Sequence, residues 1–226
     1  NSTVVAEELG LPVLRVQHHY AHILSCMAEN DCEEKVIGVS FDGTGYGTDG
    51  TIWGGELLVA DCQGFTRLGS IEPFVQVGGD ISAKEGWRIA VSLIWQNTGN
   101  LEKTLDTVRK LGLCTDQEAK VLVTMAQRKI NAVTSTSAGR LFDGVSAILG
   151  IRRASTFEGE ASTALEFAAE AWRKQREMQK KNPEENLKIR MSEREDIPES
   201  IGISEASEDE LSLIHISEPT RRTPIS

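Results

Sequence analysis

The chain has 226 residues, 39% of them hydrophobic and 26% charged, which supplies apolar material for one large domain or two small ones. Its formal net charge of -10 argues against a broad electrostatic footprint for nucleic acid. No apolar run nears the ~20 residues a bilayer-spanning helix needs, so neither nucleic acid nor a membrane is an expected partner. The opening residues Asn1 to Glu8 lack the basic-then-apolar form of a signal peptide and an initiator Met, and read as the inside of a longer protein. Cys26, Cys32, Cys62 and Cys114 show no Cys-x-x-Cys pairing, which fits a reducing cytoplasm rather than a disulfide framework.

Leu11 to Val16 reads as a short strand, punctuated at its start by Pro12. Helical spacing follows from His18 to Asn30, with Asn30 as the stop. Residues 35–41 form a short apolar run typical of a buried strand. The glycine-rich stretch 42–50 reads as a turn, and residues 51–60 as the second strand of a hairpin. Helical patterns then cover residues 84–97, 102–111, 116–131, 138–149 and 160 to about 179, with Trp87, Ala90, Val91, Ile94 and Trp95 as the buried face of the first. This order predicts an α/β layer architecture whose remaining strands lie beyond this stretch of chain.

The character of the sequence changes near Trp172, and we divide it there into a folded portion, residues 1–172, and a divergent tail, residues 173–226. Residues 174–181 are basic, and residues 183–209 are polar, acid-rich and poor in aromatics. Such a segment buries too little apolar surface to offset its ordering entropy. The last stretch, Leu211 to Ser226, resembles adapter read-through in a conceptual translation and is set aside from fold reasoning. A genuine disordered tail is the competing reading.

Three of the four histidines lie within five residues, His18, His19 and His22. On a helix, His18 and His22 project from one face about 6 Å apart at Cβ, so two ring nitrogens can meet on one ion. A histidine-rich polar turn, with His22 packed in the core, is the alternative. Clustering in a histidine-poor chain favours metal. A zinc-protease helix is excluded because His19 stands where that motif needs a general-base Glu.

Asp42, placed where a strand ends, adds a carboxylate. Two His and one Asp form a mixed N/O set suited to iron or zinc, with positions open for substrate. The glycines that follow expose backbone amides able to close on phosphate oxygens, and Thr44 and Thr48 can donate to them. The stretch lacks the Lys of a Walker A loop and does not open a helix as a dinucleotide fingerprint does.

In residues 77–88, Asp80 or Ser82 reads as a helix N-cap, and Arg88 as either an anion partner or a surface ion pair. Asp143 lies between Phe142 and Val145, close to apolar surface, where its carboxylate needs a partner. Ribose hydroxyls would serve. Gly159 precedes a helix at a point where backbone can approach a nucleotide. Helix capping accounts for both of these stretches equally well.

Taken in order, residues 11–22 (LPVLRVQHHYAH), 41–47 (FDGTGYG), 53–56 (WGGE), 78–80 (GGD), 139–143 (GRLFD) and 157–161 (FEGEA) resemble the Kae1-like domain of the HypF carbamoyltransferases of nickel–iron hydrogenase maturation. The series spans roughly the first 170 residues. Tyr20 stands where the family often carries a third consecutive His. The resemblance implies an actin/Hsp70-like ATPase-superfamily fold with ribonuclease H-like layers, here as an incomplete Kae1-like domain. It implies a transferase that uses carbamoyl phosphate and ATP to make carbamoyl-adenylate. The carbamoyl group then passes to the C-terminal cysteine of a HypE-type acceptor, and AMP is released.

By position, the resemblance makes His18, His22 and Asp42 metal ligands and Gly43, Thr44, Gly45, Tyr46 and Gly47 the phosphate-side loop. Asp143 and Gly159 match nucleotide contacts, and Asp80, Arg88 and Arg140 are candidate substrate contacts. A further family Asp ligand comes from a later glycine-rich motif that this chain does not reach, which leaves the expected site one ligand short. Two other readings stay open at this point. One is an O-carbamoyltransferase of the same superfamily acting on a small-molecule hydroxyl, and the other an inactive nucleotide-binding fragment.

Overall fold

The computed structural model describes residues 2–181, and the expectations for residues 182–226 lie outside the described residues. Helix α1 (Ser2–Glu8) opens the chain, and α2 (His18–Glu29) follows. The Gln17 side chain caps α2 by accepting from the Tyr20 amide, satisfying an otherwise orphaned N–H. Between α1 and α2 the expected strand at residues 11–16 does not form. A strand needs a partner's ladder of hydrogen bonds, and among the described residues nothing pairs with this segment, which leaves Leu11, Val13, Leu14 and Val16 exposed.

Strands β1 (Val36–Tyr46) and β2 (Ile52–Asp61) form the predicted antiparallel hairpin, but its turn is shorter than the glycines imply. β1 continues through Tyr46, and only residues 47–51 turn. The pairing steps from Phe41 opposite Gly55 to Gly45 opposite Trp53, so Gly54 alone stands opposite Asp42, Gly43 and Thr44. Those three residues form a bulge, which re-aims side chains out of the ladder. The glycine run therefore serves a bulge and close packing rather than an open loop.

β3 (Gly64–Ser70) pairs with β2, and β4 (Phe74–Val77) pairs with β5 (Ala132–Ser135), both antiparallel. β5 joins β2 in parallel through Ile52 and Ser135, giving one mixed sheet in the order β1-β2-β5-β4 with β3 beside β2. A 3₁₀ turn at Gly79–Ala83 separates β4 from α3 (Gly86–Thr98). Neither Asp80 nor Ser82 caps α3. The Ser82 hydroxyl instead donates to the Gly79 carbonyl and accepts from Gln76, while Glu85 occupies the cap position without a side-chain bond.

Helices α4 (Leu101–Leu111), α5 (Asp116–Arg128), α6 (Ala138–Ile148) and α7 (Glu160–Lys181) complete the described chain, each close to its predicted span. Thr115 and Glu118 close a capping box on α5. Two apolar clusters hold the layers together. In one, Trp87, Val91 and Ile94 of α3 meet Val77, Val108, Leu122 and Ala147. In the other, Tyr20, Ile23 and Met27 of α2 pack on Trp53, Leu58 and Ala60 of β2. Gly38 lets α2 approach β1, since a methyl there would fall 2.2 Å from Ile23 Cδ1. This second cluster fixes the histidine end of α2 against the bulge. None of the described helices is long and apolar enough to cross a membrane.

Candidate metal centre

His18 and His22 occupy the first two turns of α2 on one face, as their spacing predicts, and Asp42 reaches them from the bulge in β1. His18 Nε2 lies 2.7 Å from Asp42 Oδ2, His22 Nε2 lies 3.6 Å from the same oxygen, and the two Nε2 atoms are 3.2 Å apart. Three potential ligand atoms thus lie within 4.8 Å of one another, close enough for one cation to reach all of them. Two ligand atoms on one tetrahedral zinc, each about 2.0–2.1 Å from it, lie about 3.3 Å apart, a value within the range of the separations here. The rings are about half exposed, leaving one side of the cluster open to solvent.

Burial alone would raise the pKa of Asp42. The Gly43 amide, which donates to its Oδ1 at 2.6 Å, and the adjoining His18 and His22 outweigh that and hold the carboxyl below its ordinary range. Asp42 is thus ionised at neutral pH.

The support around the cluster is close-fitting. His19 is buried, and burial pushes its ring below the usual imidazole range, against the pull of the Asp42 charge. Gln17 Nε2 donates to His19 Nδ1 at 3.1 Å, which places the ring proton on Nε2, an atom without a hydrogen-bond partner. The same amide donates to the Tyr46 carbonyl, tying the start of α2 to the end of β1. Gly45 gives the rings room, because a Cβ there would lie 2.4 Å from His19 Cε1 and 3.0 Å from His18 Cδ2. Gln17 and His19 are positioning residues that sequence reasoning did not single out. Their signal was only their place beside the predicted ligands.

The expected phosphate-side residues are placed differently from an open loop. Gly45 and Tyr46 pair with β2, the Gly43 amide is taken by Asp42, and the Thr44 hydroxyl donates to the Gly43 carbonyl. Gly47 sits against Trp53 and Asp49 in the turn. The bulge lies against the N-terminus of α6. The N-cap Ser137 donates to the Gly43 carbonyl, and a methyl on Gly139 would fall 2.9 Å from Gly43 Cα. The structure thus joins Gly43 to the helix that carries Arg140 and Asp143.

Asp143 is buried, and its partner is Arg140, whose Nε approaches Oδ2 to 2.7 Å. Burial pushes this carboxyl upward against the opposing Arg140 charge. Gly86 packs on the Asp143 backbone, which brings α3 to the same helix. Arg88 on α3 takes the surface-pair reading, bonding Glu85 and lying over the Trp87 ring. Asp80 is exposed on the 3₁₀ turn. Gly159, in the left-handed region at φ 80°, directly precedes α7. No contact described here links Asp80, Arg88 or Gly159 to the bulge.

Comparison with known proteins places the chain in a family. Residues 38–210 match the family model described as "Carbamoyltransferase, Kae1-like Domain, second subdomain", and residues 1–29 match "HypF Kae1-like domain". The probable carbamoyltransferase HypF of Methanocaldococcus jannaschii is 39% identical over 173 residues, covering 75% of this chain and 22% of that protein. The carbamoyltransferase HypF of Synechocystis sp. is 41% identical over 174 residues, 71% of this chain and 23% of its own length.

Among solved structures, full-length HypF in the phosphate- and nucleotide-bound form matches with a TM-score of 0.66 at 41% identity, covering 73% of this chain and 21% of that one. HypF of T. kodakarensis matches with a TM-score of 0.64 at 32% identity, covering 73% of this chain and 22% of that one. The chain therefore spans less than a quarter of each of these relatives. The mixed sheet with its helices is consistent with the actin/Hsp70-like ATPase type of fold. The chain belongs to the HypF Kae1-like carbamoyltransferase domain family.

Proposed function

We propose that this chain carries the carbamoyl-transfer step of its family, moving the carbamoyl group of carbamoyl-adenylate to the C-terminal cysteine of a HypE-type acceptor protein. The observation that carries this reading is the convergence of His18, His22 and Asp42 beside the bulge at 42–44, in a chain of carbamoyltransferase ancestry. These three residues are the ones that hold a divalent metal, iron or zinc. When bound, such an ion supplies Lewis-acid polarisation of the carbamoyl oxygen or the adjoining phosphate.

The other residues bind and orient. The phosphate of the adenylate is assigned to the stretch Gly43 to Gly47, beside the N-terminus of α6, where helix-terminal amides favour negative charge. Asp143 on the same helix, and Gly159 ahead of α7, serve the nucleoside side. Asp80, Arg88 and Arg140 are the candidate substrate contacts of this reading.

In the transfer, the acceptor's thiolate sulfur bonds to the carbamoyl carbon. The bond from that carbon to the adenylate oxygen breaks, and AMP departs with the electron pair. The nucleophile is the partner's, so no internal Ser–His or Cys–His pair is needed. In the whole protein of this family, carbamoyl phosphate and ATP supply the adenylate. The four cysteines of this chain are all free thiols, which accords with a reducing cytoplasm.

Supplying carbamoyl-adenylate with a peptide ending in cysteine tests the reading directly. We expect S-carbamoylation and stoichiometric AMP, both abolished in His18→Ala and His22→Ala. Equal transfer by those variants, or transfer to a small-molecule hydroxyl in place of the thiol, would overturn it.

A further inference from the structure

We infer that Glu56, clamped by Arg67, is the positioning residue that holds the Asp42 bulge in ligand geometry. This inference rests on the reading of His18, His22 and Asp42 as metal ligands. Glu56 lies in the middle of β2 with 0% of its surface exposed, an expensive place for a carboxylate without partners. It has several. Oε1 accepts from the amides of Gly54 at 3.1 Å and Gly55 at 3.2 Å, and from the Thr136 hydroxyl at 2.5 Å. Oε2 accepts from Arg67 Nε at 2.7 Å, and Arg67 Nη2 lies 2.7 Å from the same oxygen. Arg67 is itself held over the Trp53 ring at 4.1 Å and bonded to Asp49.

Two of these bonds lead directly to the metal-site backbone. Gly54 is the lone residue opposite the bulge, and it is packed so tightly there that a methyl would meet the Asp42 carbonyl at 2.6 Å and Ser137 Cα at 2.8 Å. Its amide, like that of Gly55, is held by the Glu56 carboxylate, which fixes the backbone on which the bulge rests. Thr136 precedes Ser137, whose hydroxyl holds the Gly43 carbonyl. One buried carboxylate therefore anchors both supports of the bulge, Gly54 beneath it and the Thr136–Ser137 corner beside it. Losing that anchor frees the bulge to relax towards regular pairing, which turns Asp42 away from His18 and His22.

The test uses the purified 226-residue chain and cobalt(II) as the probe, followed by its visible d–d absorption and by competition with a chelator. Glu56→Gln keeps the shape of the side chain but sets an NH2 group against one of the present donors. We expect one cobalt(II) per wild-type chain and a fall in affinity of about 10–100-fold in Glu56→Gln, the range seen when groups supporting a metal ligand are lost. The d–d spectrum should shift at saturation. Thr136→Val should weaken binding in the same direction, and it supplies the measurement if Glu56→Gln fails to fold. Asp116→Ala breaks an ion pair with Arg109 between α4 and α5, which shares no partner with Glu56, Arg67 or the bulge, and should leave affinity and spectrum unchanged.

A merely structural Glu56 would lower the folded fraction without moving the spectrum or the affinity of the folded molecules. Wild-type binding with unshifted Glu56→Gln and Thr136→Val would overturn this inference alone. Absence of cobalt binding by the wild-type chain would overturn the ligand reading and this inference with it.

Discussion

Gly45→Ala is the substitution whose consequence follows most directly from the packing. A methyl at this position would lie 2.4 Å from His19 Cε1 and 3.0 Å from His18 Cδ2. Carbon atoms in contact prefer about 3.5–4.0 Å, so the His19 ring must retreat by about 1 Å or more. It is buried against Trp53, Gln17 and β1 and has nowhere to go without lifting the start of α2 from the sheet. Overpacking of this kind costs about 1–3 kcal/mol. A loss of about 2 kcal/mol lowers the Tm of a domain of this size by about 4–8 °C.

His18, half exposed, swings outward more easily, and doing so breaks its 2.7 Å approach to Asp42. The variant should therefore lose metal affinity along with stability. Gly43→Ala is the matched control, two residues away in the same bulge. Nothing lies within 4 Å of the added methyl there, so Tm and metal affinity should stay at or slightly above wild type. Thermal unfolding and metal titration of both variants are the assays. A Gly45→Ala protein with unchanged Tm and affinity would refute the packing argument, as would a Gly43→Ala protein equally damaged.

Four further outcomes are expected. Arg140→Leu strands the buried Asp143 carboxyl and should cost about 3–5 kcal/mol in denaturant unfolding, whereas adding Asp143→Leu should recover much of that loss; an additive double variant would contradict the pairing. Burial pushes the Cys114 thiol up to about 11, so iodoacetamide at pH 8 should label the exposed Cys26 and Cys62 well before it, as read by peptide mass mapping. Because the folded chain keeps that proton longer than the unfolded one, the Cys114 contribution to stability is fully present below about pH 9 and is lost between about pH 9 and about pH 11. A Cys114→Ala protein should lack that part of the alkaline decline. Leu58→Ala, at a fully buried position under α2, should destabilise the fold by about 2–5 kcal/mol in the same unfolding assay.

The site was legible where chemistry and period coincide. Imidazoles at positions 18 and 22 face one way on any helix, and an Asp at the end of an apolar run is a natural third donor. What the sequence concealed was tertiary. The glycines from 43 to 47 read as a loop, but Gly45 is there to make room for two histidine rings, and the close approach of α6 to the bulge depends on Gly139, so β1 runs on through them. The short strands β3, β4 and β5 carry little alternation, and the hydroxyl residues Thr134 and Ser135, which pair with β4, lie immediately ahead of α6. Leu11 to Val16 has strand-like bulk without a partner in the described fold.

Glu56 was visible only as the end of a Trp-Gly-Gly-Glu series. A lone acid followed by Leu, Leu, Val and Ala in a buried strand is a signal that donors surround it, and their identity comes from Arg67 and Thr136, distant in sequence. Asp143 was read as needing a partner, and the helix itself supplies one in Arg140.

The most direct test of the central claim is a chelator-competition titration of zinc on the chain and on its Asp42→Ala, His18→Ala and His22→Ala variants. The account predicts one zinc per wild-type chain and loss of that binding in each variant, since each removes one of three converging donors. Retention of one equivalent with unchanged affinity in all three would contradict it.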